Sequence, residues 1–415
     1  MSDYKEFKYG WPVVLSSALG IGIGMSPLPF YTIGVFVAPF MKEFGWRVDQ
    51  IMLALLVFSM TALFTSPLIG YLTDKIGVRK MVLISVVTFS LSFMAFSLNN
   101  GSPYLYWGLW VLLALFGSGT LPITWTKAVN GWFYKKRGLA LGLSLLGTGF
   151  FGSFAKIYAA YFIEHYNWQT AYVALAMLPL LITLPIAYLF FRNTDDPKVQ
   201  DKVRRMKEEL PYLNDIAVTQ QPGHSYSEAM RDYRFWILAL SFIPISLAIG
   251  GPIPNLETIL SSKGFELTDA VYIASLIGVS VVVGRLVGGY LLDKIWAPGV
   301  SFVIFMIPIL ACYIFMQGTL SFPMAMLAVC ILGVSAGVEY DLMAYLVSRY
   351  FGMKNYSAIY GTLYGFFAIG AGFGPYIYAR SYTITGSYAT IFFYAIFAFI
   401  IGAVPLLFLG KYQYD

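Results

Sequence analysis

Apolar runs of about twenty residues, enough to cross a hydrocarbon core of roughly 30 Å, recur along the whole chain and are separated by short polar turns. They fall near 11–38, 50–72, 80–98, 105–131, 138–163 and 169–191, and again near 234–262, 268–292, 300–317, 322–348, 356–379 and 388–409. Between the two sets lies a charged, apolar-poor stretch, NTDDPKVQDKVRRMKEELPYLND, too long for a hairpin and expected to be a linker that carries a surface helix. The pattern predicts an all-α membrane protein with twelve transmembrane helices in two six-helix bundles, 1–191 and 234–415, joined by a linker over 192–233.

Composition agrees with this reading: 58% of the 415 residues are hydrophobic and only 12% charged. A water-soluble globule of that length could not hide so much apolar surface, so the bilayer is the expected solvent. The formal net charge of +6 invites a nucleic-acid reading until the charges are placed. Alternate connections hold Lys5, Lys8, Lys75, Arg79, Lys80, Lys135, Lys136, Arg137, Lys294, Arg349, Lys354, Lys411 and the basic residues of the linker, whereas the others hold only Lys42, Arg47, Lys263 and Arg380. Short positive loops stay cytoplasmic, so both termini are expected inside, in a cell inner or plasma membrane, with no nucleic-acid partner. The polar lead MSDYKEFKYG contains no cleavable signal, and the first span is expected to be retained. Cys312 and Cys330 lie in apolar runs and read as buried hydrophobes rather than as a disulfide framework or metal cluster.

The two halves echo each other. GYLTDKIGVRK closes the second span and GYLLDKIWAPG the eighth, while Trp132-Phe133 after the fourth span corresponds to Tyr350-Phe351 after the tenth. Paired bundles of this kind predict a central cavity and alternating access by rocking. Gly70, Asp74, Lys75, Gly77 and Arg79, with the partial copy Gly289, Asp293 and Lys294, resemble the gating loop of the major facilitator superfamily. The resemblance implies that the aspartate latches one transport state from a helix N-terminus, where a carboxylate is electrostatically favoured. Tyr9-Gly10-Trp11, WFYKKRGLALG, Asn167-Trp168-Gln169 and Gly284-Arg285 further resemble the monocarboxylate transporters and oxalate/formate exchangers. Against that group's pattern, Tyr31 stands where mammalian members have a lysine, Val281 replaces an aspartate, and Tyr356–Tyr378 lacks the exchanger's second lysine.

An ion inside hydrocarbon costs about 2.5–3.5 kcal/mol on insertion scales, so each one calls for a reason. Arg285 lies eight residues before Asp293, roughly 12 Å in from the cytoplasmic end of its helix. A guanidinium there can take a carboxylate through two parallel hydrogen bonds, and the resemblance implies the same role; the alternative is a permanent structural pair. Asp341 is expected at comparable depth, paired with Arg285 in the empty protein and taking a proton when substrate claims the arginine; Glu339, the other candidate proton-coupling residue, lies about 200° around the helix, so the two cannot point at one cavity. An interhelical structural pair is the competing reading. Further candidate substrate ligands are Lys127, which could instead snorkel to the membrane boundary, Lys156, Tyr31 and Asn255, the last two following the proline-broken stretches SPLPFY and GGPIPN. The Gly-rich stretches 147–154 and 365–374 read as helix-packing surfaces, since no phosphate-loop pattern is present.

Together these residues predict a monomeric secondary transporter of a small organic carboxylate, working by proton symport or anion exchange. It is expected to need no metal and no cofactor. Efflux of amphipathic drug-like compounds is the alternative; it predicts acidic cavity residues and survival of function without Arg285. An enzyme is disfavoured because the two histidines, His165 and His224, fall in loops and no metal-ligand spacing occurs. A receptor has no need of two matched halves.

Overall fold

A computed structural model describes residues 5–133, 136–194, 196–211, 213, 223–352 and 355–414, apart from some side chains among them. In the first half the helices are α1 (Lys5–Gly22), α2 (Pro27–Phe44), α3 (Val48–Ile76), α4 (Val78–Met94), α5 (Pro103–Gly117), α6 (Pro122–Trp132), α7 (Arg137–His165), α8 (Trp168–Leu178) and α9 (Leu184–Phe190). The connecting region contributes α10 (Gln200–Glu209) and α11 (Tyr226–Arg231). The second half has α12 (Tyr233–Gly250), α13 (Pro252–Ser261), α14 (Leu267–Lys294), α15 (Ala297–Met306), α16 (Pro308–Met316), α17 (Phe322–Phe351), α18 (Tyr356–Thr385) and α19 (Ala389–Leu406).

Eleven stretches among the described residues are long and apolar enough to cross a membrane. The remaining expected span coincides with α18, a continuous helix of 30 residues whose glycines and tyrosines dilute its apolar character. Helices outnumber spans because several spans are broken, and each break precedes a proline: Pro27, Pro122, Pro179, Pro252 and Pro308. Proline cannot donate the ladder hydrogen bond and crowds the carbonyl four residues back, so the freed backbone needs other partners. At the first break the Met25 amide finds one in the Thr120 hydroxyl, 3.0 Å away.

Packing divides the chain into two compact units, 1–30 with 64–220, and 31–63 with 221–415, so the boundaries fall inside α2 and α3. In the first unit α1 lies against α7 through glycine: a Cβ on Gly147 would stand 2.0 Å from the Ala18 carbonyl oxygen. The linker helix α10 is docked rather than free, with Met206 and Leu210 buried beside Tyr9, Val13 and Phe133. Lys8 donates to Glu209 at 2.7 Å, and that hydrogen bond, followed by one from Tyr9, holds the Glu209 carboxyl below its usual range.

In the second unit α12 packs on α18 by the equivalent device, for a Cβ on Gly370 would meet Ser246 Oγ at 2.1 Å and the Ile243 carbonyl at 2.2 Å. Glycines 147 and 370 thus occupy fifth and eleventh spans, six apart. The aromatic echo has a structural counterpart as well. Trp132 Nε1 donates to the Arg192 carbonyl at 2.8 Å, just past the sixth span, and the Tyr350 hydroxyl donates to the Gly410 carbonyl at 2.7 Å, just past the twelfth. Each half therefore closes its last span onto the end of its fourth with a buried aromatic donor.

Candidate substrate site

The site is built on α14 and α17, and glycine decides how close those helices come. A Cβ on Gly284 would lie 2.1 Å from the Val334 carbonyl oxygen, and one on Gly337 would lie 2.2 Å from that of Val281. Gly288 meets Val338 and Gly333 meets Ser280 in the same tight way. Each helix thus carries a G-x-x-x-G pair, 284/288 and 333/337, the spacing that lets two backbones touch inside a membrane. Large side chains would hold the axes apart; here the residues beside the glycines are brought within reach.

Arg285, next to Gly284, is 7% exposed, and its Nη1 donates to Asp341 Oδ1 at 2.8 Å. Asp341 keeps 23% of its side-chain surface while the arginine side chain keeps 6%, so the carboxylate is the open end of the pair. The buried Arg285 Nε has no acceptor among the described residues. One N–H of the guanidinium fork is therefore committed and another is unused.

Tyr31 of α2, 9% exposed, lies in the electrostatic neighbourhood of both Arg285 and Glu339. Glu339 is 3% exposed, and its Oε1 lacks a partner among the described residues. Tyr340 forms an aromatic shelf with Tyr364 and Phe367 of α18, at centroid separations of 6.1 and 4.8 Å. Four of the residues singled out in the sequence, Tyr31, Arg285, Glu339 and Asp341, thus come together in one unit.

Asn255 shares the second unit, whereas Lys127 and Lys156 do not. Asn255 is fully buried, and its Nδ2 donates to the Gly251 carbonyl at 2.8 Å and the Pro375 carbonyl at 3.0 Å. Those bonds repair backbone near the proline break between α12 and α13 and tie α13 to α18. Lys156 is fully buried in α7 and Lys127 is exposed on α6; both belong to the first unit.

The loop motif is partly described. Gly77, at φ +90°, ends α3 and starts α4 in a conformation few residues other than glycine adopt. Arg79 donates to the Tyr188 carbonyl at 2.6 Å and lies over that tyrosine's ring, while Lys75 is exposed. In the second copy Lys294 donates to the Tyr290 hydroxyl at 2.7 Å, and a Cβ on Gly289 would meet nothing within 4 Å. Gly70 lies within α3, and the side chains of Asp74 and Asp293 lie outside the described residues.

The remaining motifs explain themselves by packing. A Cβ on Gly10 would strike the Phe133 ring at 2.3 Å, so the Tyr9-Gly10-Trp11 and Trp132-Phe133 motifs fit each other. Asn167 caps α8, accepting from the Thr170 amide at 2.7 Å.

A charged cluster on α3 and α18 was not singled out in the sequence as a unit. Asp49, 2% exposed in the first turn of α3, accepts from Arg47 Nε at 3.0 Å and from Arg380 Nη1 at 2.9 Å. Its signal was faint: Arg47 and Arg380 were both assigned to the sparsely charged face, but the carboxylate between them was not counted.

Comparison with known proteins fits this architecture. The family model of the Major Facilitator Superfamily matches residues 19–375, and the chain belongs to that family of membrane transporters. It is 24% identical over 344 residues to an uncharacterized MFS-type transporter, YhjX, of Escherichia coli, covering 82% of this chain and 81% of that one. It is 26% identical to monocarboxylate transporter 13 of Bos taurus, over 70% of this chain and 63% of that protein. To monocarboxylate transporter 12 of Mus musculus it is 21% identical, over 90% and 80% of the two chains.

Proposed function

We propose that the protein is a secondary active transporter of a small organic monocarboxylate, moved by alternating access with proton symport or anion exchange. The observation that carries this reading is Arg285: a buried guanidinium held at one nitrogen by a half-open aspartate, with a second donor unused. A cation left so in a low-dielectric setting is costly unless an anion completes its shell. A carboxylate arriving at the guanidinium could take two parallel N–H bonds where Asp341 uses one, and would displace Asp341 rather than add to it. The similarity to transporters named for monocarboxylates supports the same class. The lysine and arginine distribution supports cytoplasmic termini, in a cell inner or plasma membrane.

The test uses purified protein in proteoliposomes. A panel of formate, acetate, lactate, pyruvate and benzoate is first ranked by the rise each causes in unfolding temperature, and the best of them is then supplied labelled. Arg285→Ala should lower counterflow at least ~100-fold and Arg285→Lys, which keeps the charge but not the fork, about 10-fold, as expected for a charge-assisted donor pair. Counterflow at the parental rate in Arg285→Ala would remove the arginine from the site.

A further inference from the structure

Two acidic side chains stand on α17 two residues apart, and their surroundings differ. Asp341 has a cation at 2.8 Å and partial access to water. Glu339 has neither: it is 3% exposed, and Oε1 points at no donor among the described residues. The groups in its electrostatic neighbourhood are phenols, one from α2 and one beside it on α17. Tyr31 of α2 is in its electrostatic neighbourhood, Tyr340 follows it on α17, and Tyr360 and Tyr364 of α18 reach Tyr340 in turn. Arg285 of α14 is engaged by Asp341. Helix α15 carries no ionisable side chain, α12 has its own only in the first turn, at Tyr233 and Arg234, and on α16 Cys312 interacts with Tyr378 while Tyr313 is exposed.

An ionised carboxylate with an unmet oxygen in such a place costs several kcal/mol, and the remedy open to it is a proton. The proton cancels the charge and turns an oxygen that lacks a donor into a hydroxyl that can donate.

We propose that Glu339 is the proton-carrying residue of the transport cycle, and that Asp341 serves as the displaceable counter-ion of Arg285. The assignment rests on the carboxylate reading above and deepens it. A proton from water on one side forms an O–H bond at the Glu339 carboxylate; when the residue gains access to the other side, that bond breaks and the proton passes to water there. No electron changes hands. One carboxylate charge and one proton cross together, so the movement is electroneutral.

The experiment compares full-length wild type, Glu339→Gln and Glu339→Asp in proteoliposomes, with the labelled monocarboxylate that best stabilises the purified protein. Glu339→Gln should lower the accumulation driven by an imposed pH gradient at least ~10-fold more than it lowers counterflow, and the counterflow it keeps should be independent of pH. Glu339→Asp should restore part of the gradient-driven accumulation. Because Glu339→Gln could fail to fold, the infrared carbonyl-stretch band of a protonated carboxylic acid is also followed in the wild type, where it should persist at neutral pH. Gradient-driven accumulation at the parental level in Glu339→Gln, loss of counterflow together with accumulation in a folded Glu339→Gln, or absence of the acid band from the wild type would each overturn the assignment. A wild type that shows Arg285-dependent counterflow but no response to a pH gradient would also overturn it and leave the carboxylate reading standing. Counterflow unaffected by Arg285→Ala would instead sink the carboxylate reading.

Discussion

At the scale of single residues, the ion pair between Arg285 and Asp341 can be separated into its two members. Removing the aspartate's charge while keeping its shape frees the guanidinium for an incoming anion and leaves the empty protein with a buried cation lacking its counter-ion. Asp341→Asn should therefore lower the unfolding temperature of the empty protein. A saturating monocarboxylate should raise that temperature by more than it does in the wild type. Since Asp341 keeps 23% of its side-chain surface, the gain in affinity is expected to be about fivefold, the equivalent of ~1 kcal/mol. An unchanged or weakened ligand response in Asp341→Asn would mean that the two carboxylates do not compete. The pair itself was legible in the sequence, because intramembrane charges are few and each calls for a partner. Asn255 was less legible: its position after a proline break suggested a ligand, while in the structure its amide nitrogen bonds the Gly251 and Pro375 carbonyls and its buried Oδ1 meets no donor among the described residues. Sequence position cannot tell those uses apart, since both need a polar side chain beside freed backbone.

At the scale of elements, the separation between Arg285 and Asp341 is set by the glycines around them. Gly337→Ala would place a methyl 2.2 Å from the Val281 carbonyl oxygen, and backbone on both sides leaves it nowhere to go. Such overpacking typically costs 1–3 kcal/mol, and here it also pushes α14 from α17. The expected result is a lower unfolding temperature together with a loss of the stabilisation that a monocarboxylate confers. Gly108→Ala on α5, where a Cβ meets nothing within 4 Å, should be neutral or slightly stabilising by helix propensity, at most ~1 kcal/mol. Equal effects of the two substitutions in thermal unfolding would argue that helix contact is not the reason for Gly337. Spans, their number and the linker helix could be read from hydropathy because length and apolarity are properties of each segment alone. The contact of α14 with α17 could not, since a G-x-x-x-G pair names a surface but not the helix that meets it. For the same reason the linker's surface helix was foreseen and its docking through Met206 and Leu210 was not.

At the scale of the whole molecule, the internal repeat and the packing assign residues 31–63 differently. By the repeat they belong to the first six spans; by contact they belong with 221–415. Within that second unit Asp49 binds Arg380, Gly34 sits against Glu257, and Gly372 sits against Ser59. A protein that alternates between two conformations must keep such a contact strong enough to hold one state and weak enough to release it. The ion cluster meets that requirement, for the arginine side chains retain 55% and 45% exposure while Asp49 retains 3%. Solvent at the arginines limits the cluster to about 1 kcal/mol, a roughly fivefold bias between held and released forms. Asp49→Asn should therefore speed the alkylation of a cysteine placed at Ser59 by about fivefold in the empty protein, and high salt should raise the parental rate toward the same value. If the alkylation rate responds neither to the substitution nor to salt, the α2–α3 hairpin is held by its apolar and glycine contacts alone, and the cluster plays no part in setting the conformational equilibrium.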